Sequence, residues 1–134
     1  MAHLKPFTAD WTTWDNAERF EVTSWQEARS LIERVGSQAD PPCLVEFYNS
    51  DSGQSLGLGV GRDFTVVTYQ DSLDPPYFIS LGNKERSGTE WFCYGNEQTE
   101  YLAMNLVPMD QGIAALKHFV ENRTQPENIA WERL

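Results

Sequence analysis

The sequence predicts an α+β domain: a mainly antiparallel sheet, arranged as a meander, with two helices packed on one face. Three observations point there. Apolar residues recur at helical spacing in two segments, near 25–35 and near 109–120. Between them, from 43 to 102, the pattern has the two-residue period of strands. The separators in that stretch are short and rich in Gly, Pro, Asp and Asn, so consecutive strands join as hairpins with no room for helical crossovers. The chain has 134 residues, the size of one domain, and 13% aromatic content to build a core.

In chain order, residues 1–18 are polar with Trp11 and Trp14 interleaved, and they read as an irregular N-terminal arm. Residues 19–134 are then a single domain. Arg19-Phe20-Glu21-Val22 alternates as a short strand. Ser24 and Glu27 have the spacing of a capping box, in which each side chain satisfies a free amide at a helix start. Trp25, Ala28, Leu31, Ile32 and Val35 follow on one helical face, and Gly36 suits a C-cap. Strands are predicted at 44–48, 55–60, 64–69, 77–81, 90–94 and 99–102. A second helix starts near Pro108, with Asp110 at its positive end and Met109, Ile113, Leu116 and Val120 as its apolar stripe. It stops around Asn122, and 129–131 forms a last short strand.

The motifs that could carry chemistry mostly fail on context. Gly57-Leu58-Gly59-Val60-Gly61 invites a phosphate-loop reading, but such a loop needs glycines between a strand and an opening helix. Here they alternate within a strand. Leu56, Leu58 and Val60 would line one face and the glycines would leave the other flat, open to close approach by a helix or another chain. His3 and His118 have no Cys, Asp or Glu at ligand spacing, so neither a metal nor another cofactor is expected. Asp71-Ser72-Leu73-Asp74 lacks the ligand density of a calcium loop and reads as a turn. Cys43 and Cys93 sit in apolar runs and read as buried, reduced thiols of a cytoplasmic protein. Residues 1–7 carry no basic-then-apolar leader, and no run approaches the roughly 20 apolar residues of a membrane span.

Charge is the informative bulk property. The formal net charge is −10, which excludes nucleic acid and anionic membranes as natural partners. Residues 46–100 hold nine acids against three bases. A solvated surface accounts for this, and so does a face built to meet a cationic protein. The loops at 71–76, 82–88 and 95–100 are acidic with aromatics close by, a combination that steers and anchors protein partners. The candidate partner-binding residues are Asp71, Asp74, Tyr77, Glu85, Trp91, Glu97 and Glu100.

Several segments together resemble the immunity protein family 1 of bacterial polymorphic toxin systems. They are Gln54–Gly61, Phe64–Asp71, Tyr94-Gly95, Leu106-Val107-Pro108-Met109-Asp110 and the tail from Arg123 to Leu134. The resemblance covers about residues 20–134. It implies a cytoplasmic antidote without catalytic residues, which binds a cognate toxin, usually a deaminase related to those acting on cytosine in DNA. It also implies that Trp131 is a strand anchor packing on the sheet. Two alternatives stand beside it: a small hydrolase using a carboxylate pair, and an adaptor for another basic protein.

Overall fold

Two paired strands precede the first helix in the computed structural model, which describes residues 7–13, 16–95 and 97–134. Strand β1 (Phe7–Thr13) pairs antiparallel with β2 (Asn16–Val22) on one side. On the other it pairs with β3 (Cys43–Tyr48), from Thr8↔Tyr48 to Asp10↔Glu46. The N-terminal segment, expected to be irregular over 1–18, is therefore sheet over Phe7–Thr13 and from Asn16 on. Its strand signal is an alternation of Phe7, Ala9 and Trp11 with polar residues, masked by small and acidic neighbours. His3, Trp14 and Asn96 lie outside the described residues.

Helix α1 (Trp25–Gln38) begins at the predicted cap. The Glu27 amide donates to Ser24 Oγ at 3.2 Å, and the Thr23 amide donates to the Glu27 carboxylate at 3.2 Å. The helix runs through Gly36, whose φ is not positive, and ends at Ala39. The glycine expected to cap it is thus an interior residue. Helix α2 (Met109–Asn122) ends on Arg123 in the left-handed conformation, φ 59°, whose amide donates to Phe119 O at 2.8 Å.

The meander runs through β3, β4 (Ser55–Val60), β6 (Val67–Gln70) and β7 (Tyr77–Leu81), each antiparallel to the last. The strand predicted at 64–69 is broken at Val66. Its first part, β5 (Phe64–Thr65), turns away to pair with β10 (Val107–Pro108). After β7 the chain leaves the meander. β8 (Thr89–Tyr94) and β9 (Glu97–Leu102) form a hairpin that returns to β3, meeting it in parallel at Cys43↔Cys93. β11 (Ala130–Arg133) closes the far edge against β7, giving the order β11-β7-β6-β4-β3-β1-β2.

Each face of this sheet carries its own packing layer. Val45, Phe47, Leu56, Leu58, Val67 and Tyr69 point to one side, where both helices bury Leu31, Ile32, Leu116 and Phe119 against them. Leu44 and Ile79 point to the other, beneath Phe92, Ala103 and Leu106. The flat glycine face of β4 receives the chain's own hairpin. A Cβ on Gly59 would stand 2.7 Å from Phe92 Cε1. The segment after the hairpin is latched by polar bonds: Ser80 Oγ donates to Asn105 O at 2.7 Å, and Asn105 Nδ2 donates to Ser80 O at 2.9 Å. Trp131 anchors the last strand, its ring 6.1 Å from Tyr69 and its Nε1 donating to Pro126 O at 2.7 Å.

Gly59→Ala is expected to destabilise the protein by about 1–3 kcal/mol, because β4 and the hairpin must separate to admit a methyl group. Gly36→Ala, with nothing nearer than Val60 Cβ at 3.8 Å, is expected to be neutral or to stabilise by up to about 1 kcal/mol. Urea unfolding followed by Trp fluorescence reads both.

Candidate protein-recognition site

The β8–β9 hairpin covers only part of the sheet face opposite the helices. Between it and the β6–β7 turn lies an open cleft of about 180 Å³. Leu44, Glu46, Thr68 and Gln70 form the sheet side of this cleft, and Tyr77, Tyr94 and Tyr101 stand around it. Register explains the hollow. Glu46, Gly57 and Thr68 lie side by side across β3, β4 and β6. With no side chain on Gly57, Thr68 and Leu44 lean in: a Cβ there would stand 2.5 Å from Thr68 Oγ1 and 3.1 Å from Leu44 Cδ2.

The three tyrosines are fixed by different bonds. Tyr77 OH donates to Leu73 O at 2.5 Å, holding the 71–76 loop against the start of β7. Tyr94 OH donates to Glu46 Oε2 at 2.8 Å, tying the hairpin to the sheet. Tyr101 packs edge-on to Phe92 with ring centroids 6.1 Å apart. Its hydroxyl pKa is raised, first by burial and then by the Glu46 charge. Apolar exposure is high here: Leu134, which lines the cleft, is 67% exposed, Tyr77 and Tyr94 are open to solvent, and Leu73, whose carbonyl accepts the Tyr77 hydroxyl, is 75% exposed. Exposed apolar side chains collected around carboxylates are what a protein-recognition surface needs.

The seven predicted residues fall into separate places. Tyr77 lines the cleft on the loop side, Asp74 sits in the loop three positions before it, and Glu97 lies opposite Tyr94 on the same face of the hairpin. Asp71 is turned to internal work, accepting the Tyr69 hydroxyl at 2.5 Å. Trp91 and Glu100 pair with each other, but three residues separate each from Tyr94 and Glu97, so they occupy the hairpin's other face. There Arg62 is stacked 5.4 Å from the Trp91 ring and donates twice to Trp91 O. Glu85 lies in the 82–88 loop beyond the opposite end of β7, a strand that spans about 14 Å from Tyr77 to Leu81. Glu46, Tyr94 and Tyr101 escaped the candidate residues. Their signal was present: a single charge inside the apolar run Cys43–Tyr48, and aromatics in step with Phe92 on alternating strands.

Other concavities have a different chemistry. A groove of about 370 Å³ between the helices is lined by Ile32, Val60, Met109 and Ile113, with Arg29, Glu33, Arg62 and Asp63 at its rim. Its charges are mixed, and Arg29 is paired with Glu33 at 3.2 Å. Cys43 and Cys93 are free, fully buried thiols, and burial pushes Cys43 up to about 12, with Cys93 adding to the effect. Among the described residues no cluster of three His, Cys, Asp or Glu could hold a metal ion, and no helix is long and apolar enough to cross a membrane.

The chain belongs to the family described as Immunity protein Imm1, whose model matches residues 16–133. It is an immunity protein, and its partner is a toxin. The matched region begins at β2 and takes in both helices, the hairpin and the Trp131 strand. A search of curated proteins found no match to the chain.

Alkaline pH tests the packing behind the site. Burial and the Asp71 bond raise Tyr69 from 10.0 to about 12, and Cys43 rises from 9.0 to about 12. Both groups must stay neutral in the folded state. Their contribution is intact below about pH 9 and is lost as pH rises towards 12. The urea midpoint is expected to hold from pH 7 to about 8.5 and then fall, with a shallower fall in Tyr69→Phe.

Proposed function

We propose that this chain is a cytoplasmic, non-catalytic inhibitor of a nucleic-acid deaminase toxin, and that it acts by laying its acidic sheet face over the toxin's substrate groove. The observation that carries this reading is one cleft lined by Glu46 and the exposed Tyr77, Tyr94 and Leu134, with Leu73 and Asp74 in the loop before Tyr77 and Glu97 opposite Tyr94 on the hairpin. An enzyme acting on nucleic acid presents a cationic groove with stacking surfaces to its substrate. An acidic, tyrosine-bearing face matches that groove in both charge and chemistry. Asp71, Glu85 and Glu100 extend the acidic field beyond the cleft, steering the encounter over a distance limited by salt to about 10 Å.

Two measurements test this. The purified chain is expected to form a complex with the toxin encoded beside it and to suppress deamination of a cytosine-containing strand in proportion to its occupancy. No complex and no suppression would refute the reading. Within the complex, Asp74→Lys with Glu97→Lys is expected to lower the association rate about tenfold at low salt and to flatten its salt dependence. Glu85→Lys is expected to change it much less. Equal effects from the two would move the interface elsewhere.

A further inference from the structure

We propose that Leu73 is the apolar anchor of the interface, held out by the 71–76 loop to enter an apolar pocket that the toxin carries beside its cationic surface. The loop joins β6 to β7 and is tied down along its length. Asp71 accepts the Tyr69 hydroxyl, the Asp74 amide donates to Ser72 Oγ at 3.2 Å, and the Tyr77 hydroxyl donates to Leu73 O at 2.5 Å. The β3–β4 turn supports the tip. Gly53, at φ 74°, leaves the space that Leu73 fills, and a Cβ there would stand 2.8 Å from Leu73 N and 2.6 Å from Leu73 Cγ. All this order ends in one apolar side chain standing in water. Leu73 is 75% exposed, against 51% for Leu102 and 36% for Tyr77, and it packs in neither layer of the core.

A leucine scattered on a surface needs no explanation. One fixed at the tip of a tethered loop has its backbone ordered in advance, so less freedom is lost when a partner covers it. Family membership supplies the partner, a toxin, and the neighbouring charges supply the chemistry around its pocket. The loop carries Asp71 and Asp74 and no base. Those carboxylates favour a pocket rimmed by Lys or Arg. They oppose an anionic membrane, and they oppose a second copy of this chain, whose formal charge is −10. Charge and leucine divide the work. Charge acts before contact and sets the association rate, whereas the leucine contact expels water and slows dissociation. The anchor rests on the toxin-binding part of the proposed function and is independent of deamination.

The test has two arms. In the first, binding kinetics are measured between the full chain and the toxin encoded beside it. Leu73→Ala is expected to quicken dissociation about tenfold, with the association rate within about twofold and the urea midpoint of the free chain unchanged. Leu102→Ala, an exposed leucine on the hairpin, is the control and is expected to alter dissociation less than about twofold. A complex that forms and is indifferent to Leu73→Ala, or that responds equally to both variants, overturns the anchor and leaves the inhibitor reading standing. Absence of any complex removes both. In the second arm, ¹⁵N relaxation of the free chain reads the loop. Order parameters at Leu73 and Asp74 are expected near the rigid-backbone value of about 0.85, falling in Tyr77→Phe, which loses the bond to Leu73 O. Values below about 0.6 in the unsubstituted chain overturn the preformed anchor. Self-association of the free chain that Leu73→Ala abolishes would assign the side chain to a second copy, and overturn the anchor likewise.

Discussion

The contact between Phe92 and the bare backbone of Gly59 governs the shape of this protein. β4 is buried on both faces, with Leu56, Leu58 and Val60 under the helices, Gly59 under the hairpin and Gly57 covered by Thr68 and Leu44. An aromatic ring can lie directly on a strand only where that strand has no side chain. Gly59 supplies the place, and Phe92 draws β8 over the sheet until Cys93 meets Cys43 in register. The hairpin's position then decides which part of the face stays open. Gly57, two residues earlier, lies beyond the reach of Phe92, and the cleft opens across its row.

The same geometry sorts the aromatics and charges by role. On the hairpin, Phe92, Tyr94, Thr99 and Tyr101 share one face with Glu90 and Glu97, running from full burial at Phe92 to open solvent at Tyr94. Those on the outer face include Trp91, whose carbonyl and ring are taken by Arg62. A half-buried aromatic held by a neighbouring cation offers less free surface than its size suggests. Tyr94 and Tyr77 instead keep their rings half open while their hydroxyls are bonded, which removes rotational freedom before any partner arrives.

Membership of the Imm1 family places a toxin opposite this chain, and in the reading proposed above the acidic face gives that relation a physical form. An inhibitor of this kind needs fast encounter and slow release. Charges spread over the loops serve the first, since long-range attraction acts before contact. A small cluster of ordered aromatics around a half-buried carboxylate serves the second, where desolvated contacts dominate the off-rate. The helices lie on the opposite face and act as ballast, holding the sheet rigid from behind.

Much of the architecture is local and was therefore legible. The Ser24–Glu27 cap, the apolar stripe of each helix, the strand at Ser55–Val60 and the anchoring role of Trp131 all follow from residues close in sequence. The first strand was hidden because the small Ala9, flanked by the polar Thr8 and Asp10, gives a weak apolar signal in the sequence although it is fully buried. The break at Val66 was hidden because Thr65 Oγ1 bonds Gly59 O, a partner on another strand. The acidic excess was plain in the chain, but its sorting was not. By itself the sequence determined an acidic α+β domain with its helices on one face, because period, caps and turn residues act over a few positions. Only the tertiary structure decided that Glu46, Tyr77, Tyr94 and Tyr101 share one cleft while Glu85 and Trp91 stand apart. That choice depends on where the hairpin lands, and a non-local contact between residues 59 and 92 sets it.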